Sequence, residues 1–344
     1  MPLSPVLRLA LVAAALLVSA PPAQAAGGAY VALGDSYSSG TGTRTYLSDG
    51  TSCQRSVYAY PSLIASSRGY ALVLRACAGA TTADVGNLQL GALTSGTTHV
   101  TLTVGGNDAG FPAVLTECAK PSWASNCGAA VDRAVSIIDT QVPSRLATLY
   151  SAIRRRAPQA QVVVAGYPRI FNGEDCNAAT YFSPTEESRL NATADRLNTR
   201  IATAAAGAGF AFSNPTGAFL GHAVCDDVEW LNGLSSPTAE SYHPNRSGHS
   251  SGYAPLVGGR LTGSAVAVTD AMRQRARASA EGLAARQRPY AALDRTITPE
   301  RFVAPDLGSA QVRAAAARAG VDLASPASIA AADRRYDRLQ QRTG

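Results

Sequence analysis

The chain is poor in aromatic residues, which make up 6% of its 344 positions, and Lys120 is its single lysine. Few large rings beside abundant Ala and Gly let helices and sheet approach closely. The arginine bias carries no mechanism of its own. Histidine is scarce as well, with four in all, and none of the six cysteines stands in a Cys-x-x-Cys pair. That leaves no zinc cluster of ordinary spacing, and no metal or other cofactor is expected. Beyond residue 25 no run is long and apolar enough to span a bilayer, which takes about 20 residues. Basic charge is missing from most of the chain too. Residues 261–344 carry thirteen arginines against eight acids and Arg8 adds one more, so residues 26–260 are neutral within a net charge of +6. A neutral body excludes the basic face that nucleic-acid binding requires.

What is present describes a soluble globular protein with a sizeable core, 46% hydrophobic and 16% charged. Arg8, the apolar run of residues 9–20 and the small-x-small site Ala23-Gln24-Ala25 read as an export signal, so the mature chain is expected to begin near Ala26 and to be secreted. In an oxidising compartment Cys53, Cys77, Cys118, Cys127, Cys176 and Cys225 predict three disulfides that staple loops, with their pairing left open.

Strand and helix patterns alternate along the body. Ala29-Tyr30-Val31-Ala32-Leu33, Leu72-Val73-Leu74, the alternating run His99 to Val104, Gln161-Val162-Val163-Val164-Ala165 and the weaker Phe210-Ala211-Phe212 read as strands. Val131, Val135, Ile138, Val142, Leu146, Leu149 and Ile153 form one helical stripe, which Pro143 is expected to kink or divide. Ser183-Pro184-Thr185-Glu186 has the composition of a capping box opening a further helix. Such alternation predicts a parallel sheet covered on both faces, with ligands beyond the carboxyl ends of the strands.

Polar loops stand at those ends. Gly34-Asp35-Ser36-Tyr37-Ser38-Ser39-Gly40 follows the first strand and presents a serine at the rim. Cys77-Ala78-Gly79 follows the second, and Gly105-Gly106-Asn107-Asp108 the third. An Asn amide is a donor that carries no charge and cannot lose its proton, which suits it to a developing oxyanion. A nucleophilic serine needs a histidine. His99 opens a strand, His222 lies beside Cys225, His249 falls on an expected final helix, and His243 stands in the polar loop Ser241-Tyr242-His243-Pro244-Asn245, which makes it the best candidate base. Gly248-His249-Ser250-Ser251-Gly252 matches the pattern of a nucleophile elbow, yet no strand pattern precedes it and no histidine follows, so it is rejected.

In order and spacing, Gly34-Asp35-Ser36, Gly79, Gly105-Gly106-Asn107-Asp108 and His243-Pro244 resemble the four motif blocks of the SGNH (GDSL) hydrolases. The chain is similar, more narrowly, to the secreted actinobacterial lipases and phospholipases of that family. The resemblance covers residues 29–260; each block alone is weak, and the four in order are not. It implies a three-layer α/β/α sandwich with a parallel central sheet of flavodoxin-like type. It also implies attack by Ser36 with His243 as general base, and an oxyanion hole from the backbone N–H groups of Ser36 and Gly79 and the Asn107 amide. The disulfides it implies are Cys53–Cys77, Cys118–Cys127 and Cys176–Cys225. One position departs from the family: where Asp often stands three residues before the histidine, this chain has Glu240. Either the Glu240 carboxylate or a backbone carbonyl at Glu240 or Ser241 is expected to orient the ring, with the carbonyl slightly favoured because the longer side chain changes the reach. Asp35 and Asp108 are expected to fix loop geometry.

Residues 26–262 thus form the expected catalytic domain and residues 263–344 an Ala- and Arg-rich helical extension, with helices at Met272 to Arg286 and Ala310 to Arg318. The extension holds no catalytic constellation. Packing on the catalytic domain is its plainer reading; contact with an anionic surface through arginine is the sharper one. The leading expectation is a monomeric hydrolase of lipid or fatty-acyl esters. The alternatives are a carbohydrate deacetylase and a catalytically silent surface-binding protein on the same scaffold.

Overall fold

A computed structural model of the protein describes residues 27–343. The expected export signal lies outside the described residues. Five strands form one sheet: β1 (Gly27–Gly34), β2 (Tyr70–Leu74), β3 (His99–Thr103), β4 (Gln161–Ala165) and β5 (Ala211–Ser213). Their order is β2-β1-β3-β4-β5 and every neighbouring pair is parallel. The β-branched run Val162-Val163-Val164 is buried on both faces, as a covered parallel sheet demands. The fifth strand starts one residue later than its pattern predicts, because Phe210 turns into the core at the strand's edge.

One helical layer holds Cys127–Thr140, Val142–Arg156 and Pro184–Gly207; Tyr60–Arg68 and Ala254–Thr262 pack together in the other. Pro143 divides the long apolar stripe rather than kinking it. It falls in the first turn of the second helix, where a missing N–H costs nothing, and Val131, Ile138, Leu146 and Ile153 still bury on one side. Ser183 and Glu186 close a reciprocal capping box. Disulfides join Cys53 to Cys77, Cys118 to Cys127 and Cys176 to Cys225. Among the described residues no helix is long and apolar enough to cross a membrane.

The extension folds onto this body. The helix expected over residues 272–286 breaks at Ser279 into Asp270–Ala278 and Ala280–Gln287. Ala291–Asp294, Ala310–Ala319 and Pro326–Thr343 follow. Val266, Ala276, Leu283, Ile297 and Phe302 belong to the main core, whereas Val312, Ala315, Ala316 and Ile329 close a second cluster over Trp123. Arg277 donates to the Tyr58 hydroxyl and Arg286 to the Leu72 carbonyl, so these tail arginines are spent on the body. Asp294 is fully buried with Arg55 and Arg75, each 2.8 Å away, and all three side chains are withdrawn from water.

Candidate active site

The strand order reverses between β1 and β3, and the crevice at their carboxyl ends is where an open α/β sheet offers a site. The chain leaves β1 through Gly34, whose φ of +113° suits glycine and where a Cβ would fall 2.1 Å from the Thr103 carbonyl oxygen. The Gln89 side chain grips both backbone groups of Gly34, at 2.7 and 2.8 Å. Asp35 then caps the short turn Ser36–Ser39 by accepting from the Tyr37 N–H. Its carboxylate also receives the Thr103 hydroxyl at 2.8 Å and the Tyr167 hydroxyl at 2.5 Å, and Tyr167 in turn accepts the Gly106 N–H. One polar chain thereby ties the serine loop to the Asn107 loop. Burial raises the Asp35 pKa to about 6 in spite of these donors.

Ser36 is nearly buried, at 8% exposure, and its hydroxyl lies 2.9 Å from Nε2 of His243. Nδ1 of the same ring lies 2.9 Å from the carbonyl oxygen of Ser241. The histidine loop is held from several sides: the Tyr37 hydroxyl donates to the Tyr242 carbonyl, and Asn232 exchanges backbone hydrogen bonds with Tyr242 and His243. Burial pushes the His243 pKa down to about 4, partly opposed by the Ser241 carbonyl. The ring is therefore neutral at ordinary pH and free to take a proton.

Two neighbouring loops bring donors to the cavity that Ser36 lines. The N–H groups of Ala78 and Ala80 go to the carbonyls of Cys53 and Cys77, while that of Gly79 has no acceptor among the described residues. Asn107 gives one amide hydrogen to the Ala80 carbonyl at 3.0 Å, which orients the side chain and leaves its second hydrogen available. Asp108 holds the Thr82 hydroxyl and N–H, bracing the Gly79 loop against the Asn107 loop. Ser36, Gly79, Asn107 and His243 line a single cavity, whose remaining walls include Phe111, Leu115, Ile170 and Leu197.

The glutamate position needs a correction. Glu240 reaches His243 through neither its carboxylate nor its carbonyl. The carboxylate accepts from the Tyr46 hydroxyl at 2.5 Å and pairs with Arg44 at 3.5 Å, and the carbonyl accepts from Asn232. The reason is local: the turn Thr238–Glu240 ends, Tyr242 takes a left-handed φ of +61°, and the Ser241 carbonyl folds back beneath the ring two residues on.

The other histidines are engaged elsewhere. His99 stacks on Tyr70, His222 stacks 3.7 Å from the Trp230 ring, and the buried His249 takes the Tyr60 N–H on Nδ1. Gly248-His249-Ser250-Ser251-Gly252 lies on the helical turn Gly248–Tyr253, with no strand leading into it.

A family model described as the GDSL-like lipase/acylhydrolase family matches residues 32–250. The chain belongs to that family. Within it, this hydrolase is 44% identical over 251 residues to a lipase of Streptomyces rimosus, covering 72% of this chain and 92% of that one. It is 42% identical to lipase 1 of Streptomyces coelicolor, covering 73% and 92%. Among solved structures, the phospholipase A1 of Streptomyces albidoflavus NA297 superposes with a TM-score of 0.65 at 43% identity, over 68% of this chain and 100% of that one. The family and these relatives make the chain a carboxylic ester hydrolase.

Some residues at the GDSL site escaped the sequence reading. Tyr167 stands in the loop after β4, where the rule of carboxyl-end loops was enough to find it. Pro299, Glu300, Arg301 and Phe302 of the extension also line the cavity, and no motif or periodicity marks them.

Proposed function

We propose that this protein is a secreted serine esterase of lipase type, which hydrolyses carboxylic esters with apolar acyl groups through an acyl-enzyme on Ser36. The observation that carries the reading is the 2.9 Å contact between the Ser36 hydroxyl and Nε2 of His243, set in an apolar cavity. Nε2 takes the serine proton as Oγ attacks the ester carbonyl carbon. The Ser241 carbonyl keeps Nδ1 protonated and steadies the imidazolium that forms, so the pair is a dyad oriented by main chain. Negative charge on the carbonyl oxygen is met by the N–H groups of Ser36 and Gly79 and by the Asn107 amide. Collapse of the tetrahedral intermediate expels the alcohol, which receives the proton from His243. Water then enters by the same route in reverse: His243 takes its proton, hydroxide attacks the acyl carbon, and the carboxylic acid leaves with Ser36 protonated again.

Three disulfides and the export-signal pattern favour action outside the cell. Walls made of Phe111, Leu115, Ile170 and Leu197 favour an acyl chain over a sugar. The test is labelling with a fluorophosphonate probe beside hydrolysis of p-nitrophenyl butyrate, a phospholipid, a triacylglycerol and an acetylated sugar. Wild type should be labelled and should turn over one of the lipid-type esters. Ser36→Ala should lose both label and turnover, by about 10⁶ in kcat. Turnover retained by a folded Ser36→Ala variant would refute the mechanism, and turnover of the acetylated sugar alone would favour a deacetylase.

A further inference from the structure

Residues 297–303 form an irregular strap of which Pro299 to Phe302 line the cavity, and they lie beyond the residues that the family model matches. The strap is fastened at both ends. Upstream, Asp294 is locked between Arg55 and Arg75, which stand close to the Cys53–Cys77 disulfide. Downstream, the Val303 N–H donates to the Thr116 hydroxyl, on the helix Phe111–Cys118 that supplies Phe111 and Leu115 to the cavity. Between these anchors the strap is pressed against the site. A Cβ built on Gly79 would fall 2.4 Å from the Pro299 Cα, so only a residue without a side chain lets the strap pass so close. Phe302 is 4% exposed and stands edge-on to Tyr242, the residue before the base, with ring centroids 4.9 Å apart.

We infer that this strap, and Phe302 above all, forms the far wall of the acyl pocket and holds the enzyme to esters of short acyl chains. The inference rests on the ester hydrolysis proposed above. The leaving oxygen has to lie beside Nε2 of His243 to receive its proton, so the acyl chain runs the other way from the carbonyl carbon, past Asn107 toward Phe111 and Leu115. There the strap closes over it. The cavity encloses about 80 Å³, against roughly 300–1,000 Å³ for pockets that swallow a drug-sized ligand. Each extra methylene must find room against Phe302, and a wall of this kind discriminates by roughly tenfold or more per methylene that fits or does not.

The test compares kcat/KM for p-nitrophenyl acetate, butyrate, octanoate and laurate in wild type, Phe302→Ala and Phe302→Leu, each checked by its thermal melt. Wild type should fall steeply beyond butyrate. Phe302→Ala should raise the laurate-to-butyrate ratio by about tenfold or more. Phe302→Leu, the milder change should the alanine variant not fold, should move the ratio in the same direction by less. An unchanged ratio in a folded variant that still turns over butyrate overturns the inference and leaves the esterase reading intact, as does a wild type that prefers laurate. Loss of butyrate turnover and of fluorophosphonate labelling in wild type would instead strike the esterase reading itself.

Discussion

The body and the extension write the same site in different ways. The body places its polar loops at strand ends, where motif blocks in a fixed order mark them. The extension adds Pro299 and Phe302 to the cavity from a stretch with no motif, no histidine and no regular structure. Its position follows from burial and from one aspartate, Asp294, that pairs with two buried arginines of the body, Arg55 having Asp49 as a second partner. The difference teaches that residues outside a family's motifs can shape its site when a buried charge forces them into place.

After the loss of Ser36, the largest expected effect tests whether the body alone carries the reaction. Asn107→Ala should lower kcat by roughly 10²–10³, as loss of an oxyanion donor does. A fall of less than about threefold would mean that the amide only braces Ala80. Next comes the seam between the two regions. Asp294→Ala leaves Arg55 and Arg75 buried without their shared partner, and breaking a buried pair in this way costs about 3–5 kcal/mol. Urea unfolding should show that loss in a single transition seen alike by tryptophan fluorescence and circular dichroism. Two separate transitions would mean that the extension is an appended unit.

The pH profile sharpens the comparison further. As the proposed base, His243 would act only when neutral, and burial has pushed its pKa down to about 4. Activity should therefore hold as pH falls through the usual imidazole range and disappear only near pH 4, read as the acid limb of kcat/KM. The smallest effect is expected at Glu240. Since its carboxylate serves Tyr46 and Arg44, Glu240→Ala should change kcat by less than about tenfold, whereas a loss near 10⁴ would restore the carboxylate as the orienting group.

Much of this was legible in the residues themselves. The strands were readable because a covered parallel sheet asks for continuous β-branched runs, and Val162 to Val164 supply one. Ser36, Gly79, Asn107 and His243 were readable because four motif blocks, each weak alone, stand in the order and spacing of the family they resemble, and the four residues line one cavity. The orienter of His243 was harder to read, since the choice between carboxylate and carbonyl turns on a left-handed backbone at Tyr242, a conformation its side chain does not announce. The strap was not readable at all. Its anchors are partners 187 to 239 residues away in the chain, and only tertiary packing brings Asp294 to Arg55.

The main-chain hold on His243 has a practical consequence. A carbonyl oxygen has no ionisation of its own near neutral pH, so nothing behind the imidazole switches off in acid. Nor can replacing a side chain delete it. On the proposed mechanism, an alanine scan of this pocket would count two partners in proton transfer, and the third would survive every substitution, detectable only by altering the peptide bond itself.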